Sequence, residues 1–513
     1  MDASKKFGKV LVANRGEIAV RILKACREMG IATATVYSEA DVNALHVQHA
    51  DESVCVGPPS PLESYLAIDK IIDAAKSLGC DAIHPGYGFL AENSKFANAI
   101  VDAGMVFIGP PDSAIKLMGN KIESREAMIK AGIPVTPGIE ALEDDFETVA
   151  KETEKIGYPI LVKAASGGGG KGMRRVDDPS DLKAAMEGAS REAAKAFADP
   201  TVYIEKFIVN PRHIEFQVLA DDHGYVVHVF ERECSIQRRH QKIVEETPSV
   251  ALTPAIRQQM GETACEVARA SDYRSAGTVE FLFAPDGTYY FLEMNTRIQV
   301  EHPISEMTTG VDLVQEQIRI AMGEKISFRQ DEVSQRGHSI EVRIYAEDPS
   351  NNFLPQSGPL FLVHEPSGPG IRVDSGIFTG GEVTTYYDPI LSKLIVHAPD
   401  RKSAINRMVR ALKDYTIIGI RTNIPFLIDV LKHPKFAVGE TYTDFIPRNM
   451  PEWPYDDSTM AEYAGMSEIA AIAAAVIEHS GLGRKVHYSE NGTNGLSYDP
   501  WEKIGPWEIA SGR

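Results

Sequence analysis

Apolar and polar positions recur along this chain with two periods, and the changes from one to the other divide it into units. In residues 1–120, short apolar runs are each followed by a stretch of helical period. Val10-Leu11-Val12-Ala13 reads as a strand and Asn14-Arg15-Gly16 as the turn out of it. Ile18, Ile22, Ala25 and Met29 then mark the buried stripe of a helix that Gly30 stops. Thr33-Ala34-Thr35-Val36-Tyr37 is the next strand, and the stretches 81–88 and 106–110 each read as a strand running into a glycine-proline loop. This alternation predicts a parallel α/β domain with ligand-facing loops at the carboxyl ends of its strands. The first glycine segment is not GxGxxG, so it gives a nicotinamide site little support.

A second unit is assigned to 121–205, with its own elements after Gly132-Ile133-Pro134. The apolar run Tyr158 to Ser166 leads there into four glycines, 167 to 170, and Lys171-Gly172, the pattern of a small mobile α/β lid. In 206–450, Ile214 to Ala220 and Tyr225 to Phe230 alternate and are rich in β-branched and aromatic residues, which predicts an antiparallel sheet. Residues 451–513 change character. Pro451 and Pro454 open a linker, Ser467 caps a short helix carrying Ile469, Ile472, Val476 and Ile477, and Trp501 and Trp507 follow. That tail either docks a partner or packs back on its own domain.

Charge narrows the picture. Lysine and arginine total 53 against 72 acids, a net charge of -19, which argues against a broad nucleic-acid surface but not against a local positive pocket. Five scattered cysteines, at 26, 55, 80, 234 and 265, make a poor disulfide framework and no paired metal spacing, so a reducing cytoplasm is the expected setting. The first strand begins within a dozen residues of Met1, so no secretory leader is expected, and no apolar run approaches the roughly 20 residues of a membrane span.

The chemistry concentrates in Glu293-Met294-Asn295-Thr296-Arg297-Ile298-Gln299-Val300-Glu301-His302, behind the strand-like Tyr289-Tyr290-Phe291-Leu292. Glu293 and Asn295, two apart at a strand end, point the same way and can share a divalent cation. Arg297 and Glu301 would follow beside a metal-bound phosphate, placed to hold and deprotonate a small anion. Glu280 lies in Gly277 to Phe283, whose hairpin partner ends at Glu293 across the turn Ala284-Pro285-Asp286-Gly287. Two close carboxylates need a cation or a shared proton, and magnesium on nucleotide phosphates meets that need. Lys163 in its apolar run needs an anion, either a phosphate or a structural carboxylate. Glycines 167–170, Gly168 and Gly169 among them, either cradle phosphate or form a hairpin tip. Arg238, Arg239, His240 and Lys242 either neutralise an anionic intermediate or form a solvated loop, and Cys234 beside them has no convincing general base.

Over roughly residues 5–450 the chain resembles biotin carboxylase, an enzyme of the ATP-grasp fold. The resemblance rests on the ordered set Ala13 to Ala19, His84 to Asn93, Lys163-Ala164-Ala165 before the glycine loop, Glu233 to Lys242, and Glu293 to His302. It implies a multidomain fold: an N-terminal parallel α/β domain, an ATP-grasp lid and central domain, and a C-terminal mixed or antiparallel sheet domain. It further implies that Glu280 and Glu293, supported by Asn295, hold Mg2+ or Mn2+. Lys121, Lys163, His213 and Lys242 would engage ATP phosphates or the reacting anion. Glu205, Lys206, Gln237, His240 and Leu282 would surround the nucleotide, with Glu205 and Lys206 near adenine. Arg297, Gln299 and Val300 would form the bicarbonate site, with Glu301 the base and Arg343 the partner of the biotin enolate.

The implied reaction converts ATP and bicarbonate to ADP and carboxyphosphate, then transfers the carboxyl group to biotin. The chain has no Ala/Val-Met-Lys-Met segment of the kind that accepts covalent biotin. The resemblance therefore implies one subunit of a complex, working with a biotin carboxyl carrier protein and a carboxyltransferase subunit, and a homodimer through the main body. The competing reading is another bicarbonate-activating ATP-grasp ligase of the carbamoyl-phosphate-forming type. It accounts less well for Arg297 to Glu301 together with Arg343.

Overall fold

The computed structural model describes residues 6–141, 146–164, 173–197, 201–239 and 241–454. The first strand, β1 (Lys9–Val12), is wholly apolar where it is buried and feeds α1 (Gly16–Glu28), whose Ile18, Ile22 and Ala25 are buried as their spacing predicts. Gly30 adopts φ +72° just past the helix, a left-handed position that a Cβ would strain. β2 (Ala32–Ser38), β3 (Glu52–Gly57), β4 (Ala82–His84) and β5 (Val106–Phe107) complete an all-parallel sheet in the order β3-β2-β1-β4-β5. Loops leaving the carboxyl ends of β1 and β4 meet there: Asn14 donates to the carbonyls of Pro85 and Tyr87. Gly86 at φ +63° lies so close to Asn14 that a Cβ would fall 2.9 Å from its amide nitrogen.

A separate four-stranded antiparallel sheet follows, built from β6 (Gly138–Ala141), β7 (Ile160–Ala164), β8 (Arg174–Val176) and β9 (Val202–Lys206) in the order β6-β9-β7-β8. Two helices, α2 (Phe146–Ile156) and α3 (Leu182–Phe197), flank it around a small core of Val149, Ile160, Val162, Val176 and Ile204.

Apart from short strands in three two-stranded sheets, the rest of the described chain contributes β10 (Arg212–Ala220), β11 (Val226–Arg238), β12 (Gln241–Thr247), β13 (Ser275–Phe283), β14 (Tyr289–Asn295), β15 (His338–Tyr345), β16 (Ile371–Ser375) and β17 (Ile390–Ala398). They join in one eight-stranded antiparallel sheet, ordered β14-β13-β10-β11-β12-β15-β17-β16. On β10, Ile214, Phe216 and Val218 face an apolar core shared with α4 (Pro254–Ala270), so His213, Glu215 and Gln217 face the opposite side. A second core joins Val10, Ile18 and Ile22 of the parallel domain to Leu219, Val229 and Ile298, and seats that domain against the large sheet. Among the described residues, no helix is long and apolar enough to cross a membrane.

The seam between the parallel domain and the large sheet also carries buried charge. Arg21 of α1 meets Glu306 at 3.0 Å on α5 (His302–Thr309), and Arg372 of β16 meets the same carboxylate at 2.7 Å. Burial alone would raise the Glu306 carboxyl, but Arg21, His302 and Arg372 pull it down to about 2 from its ordinary 4.5. A folded-state value below the unfolded one contributes stability that is complete above about 4.5 and lost as pH falls toward 2. We therefore expect Glu306→Gln to lower stability by about 3 kcal/mol at neutral pH. In thermal melts, its gap to the wild-type chain should close as the pH drops below about 4.5.

Candidate active site

Strand register assembles the site. Glu280 of β13 sits opposite Glu293 of β14 on one side and opposite Glu215 of β10 on the other, which places all three on one face. From β12, Lys242 reaches into them: its ammonium lies 2.5 Å from Glu215, 2.8 Å from Glu280 and 2.8 Å from Glu301. His213 places Nε2 at 3.0 Å from the other Glu280 oxygen, and Gln237 donates to the Cys234 carbonyl while its amide nitrogen lies 3.1 Å from His213 Nδ1. Burial would raise Glu280, yet Lys242 and His213 hold it well below the usual carboxylate range. Burial would likewise lower Lys242, and the surrounding glutamates hold it well above an ordinary lysine.

Beneath this layer, Arg232 is fully buried on β11 and spends its donors on Glu215 at 2.5 Å, Gln217, Ser305, Thr278 and Gln299. Gln299 in turn donates to Glu280 at 2.9 Å. The segment after β14 folds back over the acids, so that Asn295 donates to Glu280 and accepts from Arg297, each at 2.8 Å. Glu92, from the parallel domain, accepts from Arg297 Nε at 2.8 Å and from the Thr296 amide. Glu301 shares its second oxygen with Arg343 of β15 at 3.0 Å, and Arg343 also donates to Glu245 at 2.6 Å. Burial opposes it, but Lys242, Arg343 and Arg232 hold Glu301 far below an ordinary glutamate.

A cleft opens beside this cluster, between the small sheet and the large one, lined by Lys121, Lys163, Tyr203, Glu205, Leu292 and Glu293 among others. Lys163 meets Glu205 at 2.7 Å, so a structural carboxylate satisfies its ammonium here. The Glu293 carboxyl faces the open cleft and forms no hydrogen bond or ion pair with any described residue. Loss of hydration between the cleft walls, and then the Glu280 charge, raises it. Glu280 and Glu293 thus offer carboxylate oxygens side by side, a donor set that fits magnesium, while Asn295 beside them turns its amide nitrogen to Glu280 and its oxygen to Arg297.

The structure separates some residues the sequence reading grouped. Lys206 gives its ammonium to the Gly157 and Tyr158 carbonyls, and Leu282 lies half-buried on β13 in register with His213; neither lines the cleft. The basic run of β11 and β12 also disperses: Arg238 pairs with Glu347 and Arg239 with Asn352, and of its described members only Lys242 enters the site. Val300 reaches the site's edge by its backbone carbonyl, which accepts from Lys393 at 2.9 Å. Gly168, Gly169, His240 and the tail from 455 onward, with Ser467, Trp501 and Trp507, lie outside the described residues.

Sequence reading missed Glu92, Glu215, Arg232, Glu245 and Lys393. For Glu215 a signal was present, since His213, Glu215 and Gln217 are polar at every second position of an otherwise apolar strand. Cys234 is buried, and burial pushes its thiol well above the ordinary value, so no nucleophile is gained there.

Along its length the chain matches three family models. They are "Biotin carboxylase, N-terminal domain" over residues 6–115, "Carbamoyl-phosphate synthase L chain, ATP binding domain" over 120–329, and "Biotin carboxylase C-terminal domain" over 341–448. Biotin carboxylase of Nostoc is 52% identical over 441 residues, covering 86% of this chain and 99% of the relative. Biotin carboxylase of Halalkalibacterium halodurans is 51% identical over 444 residues, covering 86% and 98%. A crystal structure from Hydrogenobacter thermophilus, the biotin carboxylase domain dimer of 2-oxoglutarate carboxylase with MgADP, ADP and bicarbonate, has a TM-score of 0.82. It is 48% identical and covers 86% of this chain and 98% of its own.

Removing one member of a buried ion pair strands the other. Arg232→Met should therefore destabilise the chain by about 3 kcal/mol. Adding Glu215→Gln should recover part of the loss, a coupling that a double-mutant cycle in denaturant will read.

Proposed function

This chain belongs to the biotin carboxylase family of ATP-grasp ligases, and we propose that the cluster around Lys242 divides the family's reaction among its own side chains. The reaction is the ATP- and bicarbonate-dependent carboxylation of biotin, yielding ADP, phosphate and carboxybiotin. One observation carries the assignment of roles: Lys242 bridges Glu280, the carboxylate assigned to magnesium, to Glu301, and Glu301 joins directly to Arg343.

In this reading Lys121 and Lys163 neutralise the ATP phosphates along the cleft, with Glu205 toward the adenine end. Magnesium, when held by Glu280, Glu293 and Asn295, screens phosphate charge. His213 and Gln237 fix the inner carboxylate from behind. Bicarbonate sits against Arg297, Gln299 and the Val300 backbone, where the guanidinium forks its donors toward a planar anion. Arg297 already has a rigid seat, between Glu92 and Asn295.

Glu301 takes the bicarbonate proton. Clamped between Lys242 and Arg343 it is too weak a base to do so, because both cations favour its ionised form. Arriving phosphates draw the Lys242 ammonium toward themselves and so free Glu301 to bind a proton. Substrate charge thereby arms the base only when ATP is in place. The deprotonated bicarbonate oxygen attacks the terminal phosphorus, ADP leaves, and carboxyphosphate remains shielded from water. It breaks to carbon dioxide and phosphate; the phosphate accepts the ureido proton of biotin, and Arg343 stabilises the resulting anion as it attacks carbon dioxide.

We further propose that biotin arrives on a separate carrier protein, that a carboxyltransferase subunit receives its product, and that the chain pairs with a second copy. The dimeric form of the Hydrogenobacter relative supports the pairing. The carbamoyl-phosphate-forming alternative shares only the central matched segment; the flanking biotin carboxylase domains and Arg343 within the last of them favour carboxylation of biotin.

With magnesium, ATP and bicarbonate, the purified chain should release ADP faster when free biotin is added and should yield labelled carboxybiotin from labelled bicarbonate. ATP cleavage indifferent to biotin, with no labelled product, would move the assignment to another bicarbonate-activating ligase. Glu301→Gln should cut carboxybiotin formation by about 10²- to 10⁴-fold, the usual contribution of a general base, with the ATP KM little changed.

A further inference from the structure

We propose that Lys393 and Glu17 form a buried positioning pair for the bicarbonate step, a strut that fixes the Val300 carbonyl and with it the Val300–Glu301 turn. The inference rests on the reading of Arg297 to Glu301 as the bicarbonate site.

Lys393 is fully buried in the middle of β17, in register with Arg343 on β15 and Asp374 on β16. Direct cross-strand partners project to the same face, so Lys393 and Arg343 rise side by side toward the segment that carries Glu301. The Lys393 ammonium donates to the Val300 carbonyl at 2.9 Å and lies 3.1 Å from Glu17 and 3.7 Å from Asp374. Glu17 comes from the first turn of α1, and its other oxygen accepts from the Tyr87 hydroxyl in the loop after β4. Three parts of the chain distant in sequence therefore converge on one carbonyl, next in sequence to Glu301.

A purely cohesive role would need only the ion pair between α1 and β17. The third bond goes instead to a backbone oxygen in the turn that enters α5, immediately before Glu301 at its N-cap. A charge-assisted bond to that oxygen sets how far the turn can move, and Glu301 and Arg297 move with it. Lys393 touches no reacting atom in this scheme; it acts through Val300.

The pair is also placed to feel pH. Glu17 faces Lys393, Asp374 and Arg372 from the large sheet and Tyr87 from the parallel domain, with Arg21, His302 and Glu306 around Lys393 and Arg372. Burial pushes the Glu17 carboxyl up to about 7 against the pull of Lys393. Below that value Glu17 gains a proton and the ammonium loses its main counter-charge. Above it the ion pair is complete, and the carbonyl is held by a lysine that is itself held.

The test uses the full chain and the two near-isosteric variants Lys393→Met and Glu17→Gln, with thermal melts to establish folding. The wild-type chain must first show bicarbonate-dependent carboxylation of biotin; failure there overturns the functional reading itself. Given that activity, Lys393→Met should raise the bicarbonate KM about tenfold, the effect of losing one charge-assisted bond, while the ATP KM stays within about twofold. Glu17→Gln should raise it less and remove the part of its pH dependence centred near 7. Folded variants that leave the bicarbonate KM unchanged, or that shift ATP and bicarbonate alike, overturn the positioning role. If Lys393→Met does not fold, Glu17→Gln decides alone, since a bicarbonate KM matching the wild type from about pH 6 to about pH 8 sinks the idea.

Discussion

A charge buried without a partner is so costly that every ion in the centre of this molecule must be answered by another. Lys242 among Glu215, Glu280 and Glu301 is the point where that rule binds most tightly. Around it Arg232 answers Glu215, Arg343 answers Glu301 and Glu245, and His213 answers Glu280. No member can leave without stranding the next, and so the seam holds one arrangement. The same coupling sets the acidity of Glu301, which Lys242, Arg343 and Arg232 together hold far below an ordinary glutamate.

The fold serves this seam by bringing strands of one antiparallel sheet past one another in a single register. Glu215, Glu280 and Glu293 occupy matched positions on β10, β13 and β14, His213 stands two residues before Glu215 on the same face, and Lys242 arrives from β12. The parallel domain closes the open side, with Glu92 gripping Arg297 and Glu17 reaching Lys393. The small sheet of β6 to β9 contributes Lys163 and Glu205 to the far wall of the cleft. Ion pairs are thus concentrated in the large sheet around Lys242, and the cleft lies between separate sheets.

Local patterns suffice wherever one element settles the matter. The stripe Ile18, Ile22 and Ala25 with Gly30 after it describes α1, and the turn Ala284 to Gly287 joins β13 to β14 as a hairpin, although only a bulge between Glu280 and Phe281 brings Glu280 opposite Glu293 rather than Leu292. They fail where a side chain's partner lies far along the chain. The amino-acid order cannot name the carboxylate that meets Lys163; the fold supplies Glu205, 42 positions on by the chain's own numbering. Arg238, Arg239 and Lys242 look like one basic patch, yet strand twist and bulges send them to Glu347, Asn352 and the acid cluster.

Periodicities, turns, family membership and the chemical types gathered near Glu293 to His302 are all written in runs of neighbouring residues, and so they are legible from the order of amino acids. Which charge answers which is not. Only the folded chain makes Glu92, Glu215, Arg232, Glu245 and Lys393 parts of the same device, and ties the Val300 carbonyl to a lysine 93 positions away. Secondary structure follows from interactions a few residues apart, but the cost of burying an ion is set by whatever the fold brings within about 3 Å of it.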